Sequence, residues 1–135
     1  MSMWLNYAKV SASTLKSLRA KPETVEPLFF DSALPKPGDF DPDADVFGED
    51  YRTISEVVEA MVEAEAGGEW LARAMGEGSG DEVGYEFCYG AAFAFAPAEV
   101  AEIAAEGKKD PDPFGIGEFF AQAAAEGKGI IGGVS

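Results

Sequence analysis

VGYEFCYGAAFAFAPAEVAEIAAEG, residues 83–107, holds two strand signals and a helix signal in succession. Val83, Tyr85, Phe87 and Tyr89 alternate with Gly84, Glu86 and Cys88, the two-residue period of a half-buried strand. Gly90 interrupts, and Ala92 to Phe95 reads as a second short extended segment. Pro97 suits the first position of a helix, where a missing N–H leaves no hydrogen bond unmade. Val100, Ile103 and Ala104 then share one side of that helix until Gly107 closes it. Strands and helices interleaved this closely predict an α/β or α+β chain with a small mixed sheet flanked by helices.

Downstream, the two prolines of Asp110 to Pro113 form a linker. Phe119, Phe120, Ala123 and Ala124 mark a further helix ending at Gly127, and Ile130 to Val134 reads as extended. The phrase Ala-Ala-Glu-Gly-Lys at 104–108 and again at 124–128 is what a helix C-terminus looks like in both places, so it does not signal a repeat fold.

Upstream, Thr53 to Glu56 spells a capping box, and Ile54, Val57, Val58, Met61 and Val62 follow at one-face helical spacing. Glu56, Glu59 and Glu63 fall on the opposite, solvated face. Gly67 and Gly68 break this helix, and Glu69 to Met75 supplies a shorter one that turns Trp70, Leu71 and Ala74 inward, Trp70 as a core anchor. Trp4 to Val10 is extended in character, and Ser11 or Ser13 caps a helix carrying Leu15 and Leu18 that stops near Lys21, before Pro22. Between Asp31 and Asp50, prolines at 35, 37 and 42, two glycines and seven acids against one lysine predict a long acidic loop. Phe40, Phe47 and Tyr51 in and beside it are aromatic contact points, either for a partner or for pinning the loop to the core.

With 135 residues, 47% of them hydrophobic, the chain is read as one compact domain, 1–135, able to hold a core without disulfides or a structural metal. Its one cysteine, Cys88, cannot form an internal disulfide and is read as a buried structural thiol. Residues 1–10 lack the basic start and apolar run of a signal peptide, and no stretch reaches the ~20 apolar residues of a membrane span. A cytoplasmic protein with no membrane partner is the expectation.

A net charge of −15 is the most unusual global fact. It repels nucleic-acid backbones and favours a basic partner protein. The imbalance is uneven: residues 1–38 carry three acids and five bases, while everything from Asp39 onward carries 22 acids and five bases.

The absence of histidine removes Ser-His-Asp and Cys-His nucleophilic systems, histidine-based zinc sites and the commonest general base. Asp41, Asp43 and Asp45 match the opening of an EF-hand loop, but the sixth position is Val46 where glycine is needed and the twelfth is Arg52 where glutamate is needed. No phosphate-binding Gly-x-x-x-x-Gly-Lys-Ser/Thr occurs. Neither a cofactor nor a metal is therefore expected. For carboxylate chemistry without histidine, Glu86, on a strand beside a glycine-rich turn, is the first residue to examine.

Three further pieces carry a resemblance: Met-Ser-Met-Trp-Leu-Asn-Tyr at the start, Glu-Trp-Leu-Ala-Arg-Ala-Met-Gly at 69–76 and Pro-Ala-Glu-Val-Ala-Glu-Ile-Ala at 97–104. With the closing helix and apolar strand, their order resembles the bacterial YfbM-like family, a domain of unknown function. The chain differs from that family in a shorter stretch between Ala104 and Phe114 and in lacking the histidine often found after the tryptophan. The resemblance implies a compact domain with a central sheet and flanking helices, and it brings no catalytic residue, cofactor or substrate.

The leading expectation is a non-enzymatic protein-binding or regulatory module, immunity-like in one form, whose acidic face engages a basic protein through Asp41, Asp43, Asp45 and Phe47. The alternative is an enzyme that works with carboxylates or a carboxylate-bound metal, which requires a buried Glu86 or a clustered aspartate trio.

Overall fold

The computed structural model describes residues 3–26, 46–77, 80–87 and 89–135. Its elements run β1 (Trp4–Val10), α1 (Ala12–Ala20), a single 3₁₀ turn (Pro22–Thr24), β2 (Val46–Asp50), α2 (Tyr51–Glu63), α3 (Glu69–Ala74), β3 (Asp81–Phe87), β4 (Gly90–Phe95), α4 (Pro97–Gly107), α5 (Ile116–Ala125) and β5 (Gly129–Val134). The strands form one sheet in the order β2-β1-β5-β4-β3. All four pairings are antiparallel, so the chain is α+β, and the sheet expected to be mixed is antiparallel across the described strands.

Both faces of the sheet are covered. On one, Leu5 and Tyr7 of β1, Phe47 of β2, Phe95 of β4 and Ile130 of β5 pack against α2 to α5. On the other, Ala8, Val10, Ala92, Ala94 and Ile131 meet Leu15 and Leu18 of α1, together with Val83, Phe87 and Val25. Because side chains alternate along a strand, β1 feeds both layers, and six of its seven residues are buried.

Strand β5 sits at the centre of the sheet. Gly132 and Gly133 are there because aromatic rings from other strands occupy the space a side chain would need: Tyr7 of β1 and Phe93 of β4 crowd position 132, and the ring of Phe87, on β3, lies across position 133. Tyr7 is the hub of the helix-side layer, with ring centroids 5.4 Å from Phe120, 5.8 Å from Phe47 and 6.2 Å from Phe119. Its hydroxyl donates to the carbonyl of Ala74 at 2.5 Å, which ties β1 to the end of α3. Burial raises the Tyr7 phenol well above its ordinary pKa.

Several boundaries differ from the sequence reading: Gly90, read as an interruption, is the first residue of β4 and pairs with Phe87, because the β3 ladder extends over it. Residues 46–50, assigned to the acidic loop, form the edge strand β2, paired with β1 from Trp4↔Asp50 to Ala8↔Val46. Local composition argues against a strand there, and pairing with β1 overrides it. The helix that follows starts at Tyr51, not after Thr53: Asp50 is the N-cap, and its carboxylate accepts the Thr53 N–H at 3.0 Å.

Three other helix starts are closed by side-chain carboxylates or hydroxyls. Ser11 Oγ accepts the Thr14 N–H at 3.1 Å to open α1. Glu99 accepts the Ala96 N–H ahead of α4. Asp112 accepts the N–H groups of both Gly117 and Glu118, each at 3.1 Å, at the start of α5. Trp70 is the core anchor expected of it, buried against Gly107 of α4 and Gly117 of α5.

Candidate functional site

The longest apolar stripe on one helix gives the clearest surface feature. Of the five apolar positions read on one face of α2, only Ile54 and Val58 are buried; Val57 and Met61 are half-covered. Val62 is 42% exposed, and it is the one large hydrophobic side chain so exposed among the described residues. The stripe is thus wider than the surface α2 packs upon.

Part of this surplus lines a groove between α2 and α3 of about 300 Å³. Val58 and Val62 form one wall, one helical turn apart. Ala72 and Met75 form the other. The tight turn joining the helices has Glu65 and Gly67 in the left-handed region, at φ 52° and 83°. Beyond it, Gly68 comes up against Met61 and Val62, so the two helices converge at that end. Glu59, Glu63 and Glu77, all exposed, stand around the groove, with Ser55 beside them. An apolar floor with a wholly acidic set of charged neighbours favours a ligand that is apolar on one side and cationic at its margins.

A second, more open cavity of about 400 Å³ lies between α4 and α5, lined by Gly107, Lys108, Asp110, Asp112, Gly117 and Glu118, with Ala121. The α5 N-terminus there is the natural place for an anion, but the Asp112 carboxylate already accepts its first free N–H groups. Among the described residues, no group of three or more His, Cys, Asp or Glu side chains is placed to hold a metal ion. Asn6 Oδ1 and Trp70 Nε1 are buried polar atoms without a hydrogen-bond partner, and neither residue lines either cavity.

The residues singled out from sequence fare differently. Asp41, Asp43 and Asp45 lie outside the described residues, as does Cys88. Phe47, expected as a partner contact in the acidic loop, is instead a core residue, 2% exposed. Its place on β2 opposite Tyr7 turns its ring inward to lie 5.8 Å from both Tyr7 and Phe119. Glu86, the carboxylate an enzyme would have needed buried, is exposed on edge strand β3 opposite Ala91.

Sequence spacing alone does not single out the groove residues. Glu59 and Glu63 read as ordinary solvated positions on the polar face of a helix, and exposed they are. What gives them a context is the approach of α3, which sequence spacing does not reveal. The signal in the chain was Val62, an apolar position at the last turn of the α2 stripe.

No helix among the described residues is long and apolar enough to cross a membrane. Comparison with protein-family models, with curated proteins and with solved structures finds no match to this chain.

Proposed function

We propose that this chain is a non-catalytic, cytoplasmic protein-binding module of the YfbM-like type that engages a basic partner through its acidic surface. The observation that carries this reading is the exposed Val62 of α2 lining the groove, around which Glu59, Glu63 and Glu77 are the charged residues. Uncovered apolar area supplies the affinity of an interface, and one sign of charge at its margin selects a partner of the other sign and speeds encounter. A net charge of −15 extends that field beyond the groove and turns nucleic acid away. Glu86 is exposed, so the enzymatic alternative loses that carboxylate, while its other requirement, a clustered Asp41, Asp43 and Asp45, falls outside the described residues.

A pull-down of the tagged protein from its native lysate, at about 50 mM and again at about 500 mM salt, tests the reading. Basic proteins retained at low salt and released at high salt are the expected outcome, identified by mass spectrometry. No reproducible partner at either salt rejects it.

A further inference from the structure

We infer that the occupant of the α2–α3 groove is an amphipathic, basic helix of the partner, laid along the groove with its apolar face inward. This inference rests on the protein-binding reading above and names its site and the chemistry it takes. Three observations lead to it. The walls are themselves helices, and exposed Val62 stands one turn, about 6 Å, from Val58, whose largely buried side chain closes the same wall, so the apolar line open to an occupant runs parallel to α2, the direction in which a second helix presents its own i and i+4 side chains. Glu59 and Glu63 repeat at the same interval beside them, matching lysines or arginines one turn apart on the flank of the incoming helix. The volume of about 300 Å³ is at the lower end for ligand pockets, so the groove receives a few side chains rather than a large cofactor.

Charge decides against a second copy of this chain as the occupant. Two copies would bring Glu59, Glu63 and Glu77 of each toward the other, with −15 on both bodies, and like charges brought together at an interface are unfavourable.

The test uses fluorescein-labelled helical peptides of about 20 residues, with leucines at i, i+4 and i+7 and lysines on both flanks, titrated with the full chain by fluorescence anisotropy at about 50 mM salt. Val62→Ser and the double change Glu59→Lys, Glu63→Lys are each expected to weaken binding by about tenfold or more. A control with the same change in charge, Glu23→Lys with Glu26→Lys, alters two exposed residues next to the 3₁₀ turn, away from the groove, and is expected to weaken it by no more than about twofold. Circular dichroism and an unchanged melting temperature confirm that each variant is folded. Equal weakening by groove and control variants overturns the groove as the site and leaves the acidic-module reading standing. Failure of the peptides to bind a chain that still captures basic proteins from lysate overturns the helical occupant alone, and failure of both experiments rejects both readings. Concentration-dependent dimerisation abolished by Val62→Ser would make a second copy the occupant and overturn the inference.

Discussion

Helices α5 and α2 lie on the same side of the sheet and obey the same pattern rules, yet they end in different states. In α5, Ile116, Phe119, Phe120 and Ala123 are all fully covered, held between the sheet and the neighbouring helices. In α2 the apolar stripe is as regular, but only two of its residues are buried. The difference is one of position. Helix α5 leads into the central strand β5 and packs across the middle of the sheet, whereas α2 follows edge strand β2 and hangs over the margin, with α3 as its helical neighbour. An amphipathic helix at the centre of a layer spends its apolar face on the fold. At the margin, some of that face is left for something else.

Truncation is the harshest way to break this comparison. Phe119→Ala or Phe120→Ala removes a fully buried ring from the cluster around Tyr7 and is expected to cost about 3–5 kcal/mol, visible as a large shift of the urea midpoint. The same truncation on the other helix, Val62→Ala, is expected to change stability by less than about 0.5 kcal/mol. A Val62 variant as unstable as the Phe119 variant would mean that the groove wall is structural.

A smaller effect sharpens the α5 side. Lys9 on β1 is buried, its Nζ 3.7 Å from Glu126 at the end of α5 and 4.9 Å from the centre of the Phe119 ring. Glu126→Gln removes an anionic neighbour of this buried ammonium and should cost about 1–3 kcal/mol, with Lys9→Met recovering much of the loss in the double mutant. A double-mutant cycle in denaturant measures it, and additive losses would show that the pair is not coupled.

Tyr7→Phe deletes the hydrogen bond to the Ala74 carbonyl and should cost about 1 kcal/mol near neutral pH. The buried phenol also carries an alkaline signature. Its folded-state pKa lies above the unfolded value of about 10, so the stability it contributes is complete below pH 10 and declines as the pH rises beyond it. Wild type should therefore lose more stability than Tyr7→Phe between about pH 9.5 and 11, measured by denaturant midpoints. Parallel losses in the two proteins would remove Tyr7 as the cause.

The smallest expected change concerns the field as a whole. With −15 crowded on a small body, raising salt from about 20 to 300 mM should raise the melting temperature by a few degrees. A fall would show that attractive surface pairs such as Arg19–Asp81 and Arg73–Glu106 outweigh the repulsion.

Much of the fold was legible in the chain because it is written in local periods. β1 runs from Trp4 to Val10 as its extended character suggests, Ser11 opens α1, Pro97 opens α4, and the 83–95 stretch holds a strand pair, although Gly90, read as the break, is the first residue of β4. β2 was not legible. Five residues with a glycine and two acids hold no strand signal of their own; they are extended because β1 pairs with them and Phe47 finds a place among Tyr7 and Phe119. For the same reason the inward turn of Phe47 could not be read, nor the outward turn of Val62.

Sequence by itself determined which residues share a face, where most helices begin, and that histidine chemistry is absent, since spacing, capping groups and composition are properties of the chain alone. Tertiary structure decided what each face meets: that β5 is the central strand, that Gly132 and Gly133 yield their space to rings from three other strands, and that α2 keeps part of its apolar stripe uncovered beside Glu59 and Glu63. A period states that a face will be apolar. Only the arrangement of elements distant in sequence decides whether anything in the same chain covers it.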